Sequence, residues 1–208
     1  MRRGSRSERP AGIRALPALL AALAVSFALG AAHAEDLKAG VFKPPRAAPE
    51  FSLSGSDGSN VTIRRFHGKV VALGFGYTSC ADVCPTTLAF LAEARKNLGA
   101  VAKDLQVLYV TVDPERDSAQ RLRKYMDAFD TSFIGATGAP DALAAVRSAY
   151  GITMTKQVSK VDASAYLIHH SSFVYLIDRA GNLRAIIPFG ATAADMVHDV
   201  KVLLAEYQ

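Results

Sequence analysis

Cysteine is scarce in this sequence, which has only Cys80 and Cys84 among its 208 residues. Two cysteines form at most one bridge, so the chain is not one of the small secreted domains that several disulfides hold together. Internal repeats and low-complexity segments are also absent from the sequence, which argues against a repeat protein. The length therefore suits a globular domain with a sizeable core.

The sequence also lacks an excess of charge once its first 34 residues are set aside. The whole chain has 24 Lys and Arg against 19 Asp and Glu, but five of the basic residues and one acidic residue precede residue 35. The remaining 174 residues carry a net charge of +1. This balance gives no support for nucleic acid or an anionic membrane surface as a partner.

The first 34 residues have the three-part pattern of a secretory signal peptide. Arginines come first, an apolar run from Ala15 to Ala32 follows, and Ala32-His33-Ala34 is a small-x-small cleavage site. The apolar run of about 18 residues is also long enough to be an uncleaved N-terminal membrane anchor. In both cases we expect the rest of the chain outside the cytoplasm, in the periplasm or exported.

Beyond residue 34 the pattern predicts a flexible lead-in over residues 35–48 and one domain over residues 49–208. The lead-in has several prolines and no apolar periodicity, which is typical of an extended tether. In the domain, strands are predicted at 51–53, 61–63, 69–77, 105–112, 133–135, 172–177 and 183–187, and helices at 85–98, 119–129, 140–149 and 191–206. We therefore predict an α/β fold in which a central mixed sheet has helices on both faces and an N-terminal β-hairpin.

The two cysteines lie where a predicted strand passes into a predicted helix, in Tyr77-Thr78-Ser79-Cys80-Ala81-Asp82-Val83-Cys84-Pro85. The free N–H groups and the dipole of a helix N-terminus favour the thiolate over the thiol. Three uses of the pair are open: a structural disulfide, a redox dithiol of the thioredoxin type, and a metal clip with both sulfurs on one helical face. Two soft thiolates in an oxidising compartment favour copper among the metals.

A metal site built on two cysteines needs a further ligand. Beyond residue 34, His67 falls in a polar loop and His198 on the last helix, where surface or packing roles are commoner. The pair His169-His170 precedes the strand predicted from Ser172, and loops at a sheet edge often carry binding residues. The imidazole at this edge is therefore the candidate third ligand.

Three motifs follow one another along the chain: Gly76 to Pro85, Val112-Asp113-Pro114-Glu115-Arg116-Asp117-Ser118, and His170-Ser171 followed by Tyr175-Leu176-Ile177-Asp178. In these motifs and their order the chain resembles the Sco/SenC family of copper chaperones, from about Ala48 to its end. The resemblance implies a thioredoxin-like fold that binds one copper ion, as Cu(I) or Cu(II). It also implies a role in assembling the dinuclear copper centre of cytochrome c oxidase.

The ligand set implied by the resemblance is Cys80, Cys84 and His170. The chain departs from the family pattern twice, with Ala81 where proline is common and His169 where an aspartate usually precedes the ligand histidine. The residues Asp113, Arg116 and Asp117 match a family motif, and we predict a turn there. Asp117 and Ser118 are the predicted N-cap residues of the helix that follows.

The expected partner is the copper-receiving subunit of cytochrome c oxidase, with other copper chaperones or a thiol reductant as further partners. Nucleic acid is not expected, and the membrane is expected only through a retained N-terminal segment. Copper transfer would make the chain a metallochaperone and not an enzyme. Two alternatives stay open: a thiol-disulfide oxidoreductase, with Cys80 and Cys84 as the redox-active pair that keeps the target's cysteines reduced, and a redox or copper sensor.

Overall fold

A computed structural model of the chain describes residues 36–162 and 165–206, together with Met1. Apart from Met1, the predicted signal peptide or anchor lies outside the described residues. Among the helices that are described, none is long and apolar enough to cross a membrane. The described domain belongs to one compact unit, Ala34–Gln208.

Strands and helices alternate along much of this unit, as the sequence predicts. The strands are β1 (Gly40–Ala47), β2 (Leu53–Gly55), β3 (Asn60–Val61), β4 (Val70–Gly76), β5 (Leu105–Thr111), β6 (Ile134–Thr137), β7 (Met154–Val158), β8 (Tyr166–His170), β9 (Val174–Ile177) and β10 (Asn182–Ile187). The helices are α1 (Val83–Leu98), α2 (Ala119–Asp127), α3 (Pro140–Ala149) and α4 (Ala193–Ala205), with 3-10 turns at Arg64–Phe66 and Gly99–Asp104.

Eight of the strands form one mixed sheet in the order β1-β10-β9-β4-β5-β6-β2-β3. The central strands β4, β5 and β6 are parallel, and the pairs toward both edges are antiparallel. Every residue of β4 and β5 is buried, which explains why their sequences are apolar without alternation. The mixed α/β sheet and the β2–β3 hairpin near the N-terminus confirm the predicted fold class.

Helices cover both faces of this sheet. Tyr109 of β5 and Gly135 of β6 are in register and therefore point to one face, where Leu122 of α2 packs on Gly135. Phe75 of β4 points to the opposite face, where its ring centroid lies 5.7 Å from that of Tyr150, next to the end of α3. The arrangement agrees with the predicted two-sided packing.

The predicted flexible lead-in differs from the structure over residues 40–47. These residues form β1, which pairs antiparallel with β10 at the edge of the main sheet. Just before it, the buried carboxylate of Asp199 on α4 accepts hydrogen bonds from the N–H groups of Lys38 and Ala39 at 2.8 and 3.0 Å. Prolines are compatible with an edge strand because its outer side needs no donor. The prolines therefore correctly indicate an extended chain, but the chain is paired in a sheet and is not a free tether over these residues.

A second, two-stranded sheet is also absent from the predicted elements. β7 and β8 pair antiparallel, with Met154 opposite His170. Most of their side chains are exposed or half-buried, so the sequence lacks the apolar periodicity that would indicate the two strands. His169 and His170 are therefore the last two residues of a strand, whereas the sequence predicts a loop at these positions.

Candidate metal centre

The turn between β4 and α1 positions the two cysteines. Pro85 lies in the first turn of α1, which suits proline because the N–H groups there lack intrahelical partners. Cys84 belongs to α1 and its side chain is 1% exposed, whereas Cys80 lies in the turn and is half-buried. Both are free thiols. The pair thus has an accessible outer member and a buried inner member.

Burial and hydrogen bonding shift the two thiols in opposite directions. Burial raises the pKa of Cys84 to about 12, although the hydroxyl of Tyr109 hydrogen-bonds to its sulfur and opposes the rise. Burial also acts to raise the pKa of Cys80, but hydrogen bonds led by the N–H groups of Asp82 and Cys84 outweigh it and leave that pKa below its usual value. These N–H groups belong to the start of α1, as expected for a helix N-terminus. Cys80 is therefore the thiol that deprotonates first.

His170 approaches the inner cysteine from the end of β8. Its Nε2 lies 3.4 Å from Sγ of Cys84. Its Nδ1 lies 2.8 Å from the carbonyl oxygen of Ser171, which can only accept, so Nδ1 carries the proton and the Nε2 lone pair faces the cysteine. Burial lowers the pKa of His170 and favours the neutral imidazole. A neutral ring whose other N–H is held by a carbonyl is typical of a metal ligand.

The neighbouring histidine faces away from the cysteines. Nε2 of His169 lies 2.9 Å from Oε1 of Gln157 on β7, as expected if successive residues of a strand point to opposite sides. The structure thus brings His170 to Cys84 and leaves His169 apart. Across residues 36–162 and 165–206, no three His, Cys, Asp or Glu side chains are already arranged around a common ion position.

Gly76, the last residue of β4, makes room for the inner cysteine. A Cβ atom at this position would lie 1.8 Å from the hydroxyl oxygen of Tyr109 and 2.8 Å from Sγ of Cys84. Both distances are far inside van der Waals contact, so the site requires glycine. The sequence places Gly76 in the cysteine motif but assigns no role to it or to Tyr109, and the one available signal was a glycine at the end of a buried strand before the cysteine turn.

Asp117 fixes the turn that carries the outer cysteine. Its buried carboxylate accepts hydrogen bonds from the N–H of Thr78 at 3.0 Å, from the Thr78 hydroxyl at 2.6 Å and from the Thr111 hydroxyl at 2.7 Å. The N-cap of α2 is Ser118, whose side chain accepts from the N–H of Arg121. The predicted cap is therefore correct for Ser118 and wrong for Asp117, which is a buried acceptor joining two loops.

Asp113 and Arg116, which belong to the same motif as Asp117, hold β8 in place. The hydroxyl of Tyr166 donates to Asp113 at 2.7 Å, and the guanidinium of Arg116 donates to the Tyr166 carbonyl at 3.2 Å and lies 3.7 Å from the ring centroid. Further along β8, the N–H of Ile168 donates to the hydroxyl of Tyr77 at 3.3 Å. These contacts attach the strand that carries the candidate histidine to the ends of β4 and β5.

Fold and site together define a thioredoxin-like α/β domain with two free thiols and an imidazole at its strand-to-helix turn. Residues 42–205 match the SCO1/SenC family model, and the chain belongs to that family. A relative from Arabidopsis thaliana, "Protein SCO1 homolog 1, mitochondrial", is 37% identical over 131 residues, which are 61% of this chain and 38% of the relative. The chain thus spans well under half the length of that relative.

Two solved structures share the fold. Bradyrhizobium japonicum ScoI with copper bound is 32% identical with a TM-score of 0.70, covering 76% of this chain and 99% of that one. Apo Sco1 from Thermus thermophilus is also 32% identical, with a TM-score of 0.73 over 84% of this chain and 100% of that one. Both likenesses agree with the thioredoxin-like fold that the sequence resemblance implies.

Proposed function

We propose that this chain is a copper chaperone that binds one copper ion through Cys80, Cys84 and His170. The observation that carries the proposal is the 3.4 Å approach of His170 Nε2 to Cys84 Sγ, with the Nε2 lone pair facing the sulfur. Two thiolates and an imidazole suit Cu(I), and imidazole also suits Cu(II). The copper-bound structure of a family member supports copper as the ion.

The difference in exposure between the two cysteines suits transfer of the ion. Cys84 is held in the interior, whereas Cys80 in the turn is half-buried, as is His170 at the end of β8. A thiol of a target protein can approach from the Cys80 side and exchange with that ligand while the other two retain the ion. Copper would thus pass to the target without release to water.

The proposed target is the copper-receiving subunit of cytochrome c oxidase, and another copper chaperone would supply the ion. Family resemblance supports this assignment. The signal-like pattern of residues 1–34 supports a location outside the cytoplasm, in the periplasm or exported. Attachment to the membrane would come only from a retained N-terminal segment.

The test is an anaerobic Cu(I) titration of the reduced protein against a chromophoric chelator. We expect one copper per chain, and a severe loss of affinity in Cys80→Ala, Cys84→Ala and His170→Ala, because each change opens the coordination sphere. His67→Ala is the matched control and should leave binding unchanged. Full stoichiometry with unchanged affinity in Cys84→Ala would exclude this site.

A thiol-disulfide oxidoreductase is the second candidate. It is supported by the asymmetry of the pair, since the accessible Cys80 has a lowered pKa and the buried Cys84 a raised one. Copper and a disulfide compete for the same sulfurs, so the oxidised protein should bind copper only after reduction. In cells lacking the protein, recovery of oxidase activity on added copper supports the chaperone. Recovery only with an external thiol reductant supports the oxidoreductase.

A further inference from the structure

A buried tyrosine hydroxyl on α2 has no role in the site as described. The hydroxyl oxygen of Tyr125 is shielded from solvent, and within the described part of the chain it has no hydrogen-bond partner. Such a group is unfavourable because it has given up its hydrogen bonds to water. Native structures contain few of them, and each requires an explanation.

The position of Tyr125 on α2 directs it toward the cysteine turn. Arg121, one helical turn earlier on the same face, donates to the hydroxyls of Thr78 and Ser79 at 2.7 and 3.0 Å. The Tyr125 ring packs edge-on against Phe129, with the centroids 5.4 Å apart, and against the hydrophobic core. The ring is therefore half-buried, with its hydroxyl turned into the domain, on the helix face that meets the residues just before Cys80.

The electrostatics agree with this placement. Burial raises the pKa of Tyr125, and negative charge on Cys84, Cys80 and Asp117 raises it further. The carboxylate of Asp117 already accepts three hydrogen bonds, from the backbone and hydroxyl of Thr78 and from the Thr111 hydroxyl. A carboxylate has about four lone-pair sites, and Nε of Arg121 also lies 3.9 Å from this one, so little of its capacity is left. The sulfurs of the cysteine pair are therefore the acceptors with the most remaining capacity.

We propose that Tyr125 is a positioning residue of the copper site, whose hydroxyl is unpaired in the free protein and donates a hydrogen bond to a sulfur of the Cys80–Cys84 pair when copper binds. A neutral thiol is a weak acceptor, whereas a metal-bound thiolate carries negative charge and accepts strongly. Hydrogen bonds to ligating sulfurs orient them and tune the metal. This inference rests on the proposed copper-binding function and adds to it a donor outside the ligand set.

The test compares Tyr125→Phe with the wild-type full chain, both without copper and with copper bound. Without copper, the variant should be as stable as the wild type or more so, because only an unpaired hydroxyl is lost. With copper, we expect Cu(I) affinity to fall about tenfold. The thiolate-to-copper charge-transfer band of the Cu(II) form should also move to lower energy, because the sulfur loses a stabilising donor.

Tyr150→Phe is the matched control. The hydroxyl of Tyr150 donates to the carbonyl of Pro49 at 2.8 Å, and its ring packs on the sheet face opposite the cysteines. This variant should lose stability without copper and keep both the affinity and the band, which is the reverse of the pattern expected for Tyr125→Phe.

Unchanged Cu(I) affinity and an unshifted band in Tyr125→Phe overturn the inference, whatever the stability of the variant. The wild-type titration is read first and separates this failure from a failure of the proposed function. If the wild-type protein binds no copper, the proposed copper-binding function is excluded. If the wild-type protein binds copper and the variant is unaffected, only the role of Tyr125 is excluded.

Discussion

The carboxylate of Asp117 and residue Thr78 are joined by two hydrogen bonds, one from the Thr78 N–H at 3.0 Å and one from its hydroxyl at 2.6 Å. Thr78 precedes the outer cysteine, and Asp117 closes the turn between β5 and α2. Two motifs that lie far apart in the sequence therefore form one hydrogen-bonded unit. The second motif thus holds the cysteine turn in place through Thr78.

Removing the Asp117 carboxylate should destabilise the domain and loosen this turn. Asp117→Ala leaves three donors unpaired in the interior, and we expect the free energy of unfolding in urea to fall by about 3 kcal/mol or more. Asp127→Ala is the control, since this half-exposed residue pairs with Arg123 on the surface at 2.8 Å. The control should change stability by no more than about 0.5 kcal/mol. Equal effects of the two substitutions would contradict the role assigned to Asp117.

Glycine at position 76 should be indispensable. Gly76→Ala would force a Cβ to within 1.8 Å of the Tyr109 hydroxyl and displace the inner cysteine. We expect a loss of about 3 kcal/mol or more in unfolding free energy, at the upper end for overpacked cores, together with weaker Cu(I) binding. Gly40→Ala is the control, because its Cβ would meet only the Ile186 carbonyl at 3.6 Å. If Gly76→Ala is as stable as Gly40→Ala, the end of β4 can shift to admit a Cβ atom, and glycine is not required at position 76.

The two thiols should react with iodoacetamide at different pH values. Reaction requires the thiolate, which is populated above the pKa of each thiol. Because the pKa of Cys80 is lowered, the pH at which its rate is half-maximal should lie below 9.0, the usual pKa of a thiol. Burial raises the pKa of Cys84 to about 12, so this thiol stays protonated through neutral pH. Mass spectrometry of the reduced protein at several pH values should therefore show Cys80 modified first. Comparable rates for both cysteines near pH 8 would refute the asymmetry, and Cys80→Ser and Cys84→Ser assign the two rates.

Part of this architecture could be predicted from the sequence because the signals were local. Continuous apolar runs marked β4 and β5, and the cysteine spacing before Pro85 marked the turn and the start of α1. β1 was missed because its prolines alone favour an unpaired chain, whereas in the fold this segment forms a strand through its pairing with the distant strand β10. The β7–β8 hairpin was missed because its residues are mostly exposed and therefore lack apolar periodicity.

The rest of the site depends on contacts between distant segments, which residue types alone do not indicate. Asp117 precedes a helix, where a capping role is commonest, and only the fold shows that it is buried against Thr78. Tyr109 and Tyr125 look like core residues in the sequence. A role for their hydroxyls can be inferred only from the fold, which places β5 and α2 beside the cysteine turn.

The last prediction concerns His169 and His170, which the strand places on opposite sides. Only His170 faces Cys84, so His170→Ala should weaken Cu(I) binding while His169→Ala, whose Nε2 contacts Gln157 instead, should not. In His169→Asp, a negative charge near the ion stabilises Cu(II) more than Cu(I), because the interaction scales with ionic charge. The reduction potential of bound copper should therefore be lower in His169→Asp than in the wild type, by an amount on the order of tens of millivolts for an exposed charge. The ligand assignment is wrong if His169→Ala loses Cu(I) and His170→Ala keeps it. The charge argument fails if voltammetry finds the potential of His169→Asp unchanged or raised.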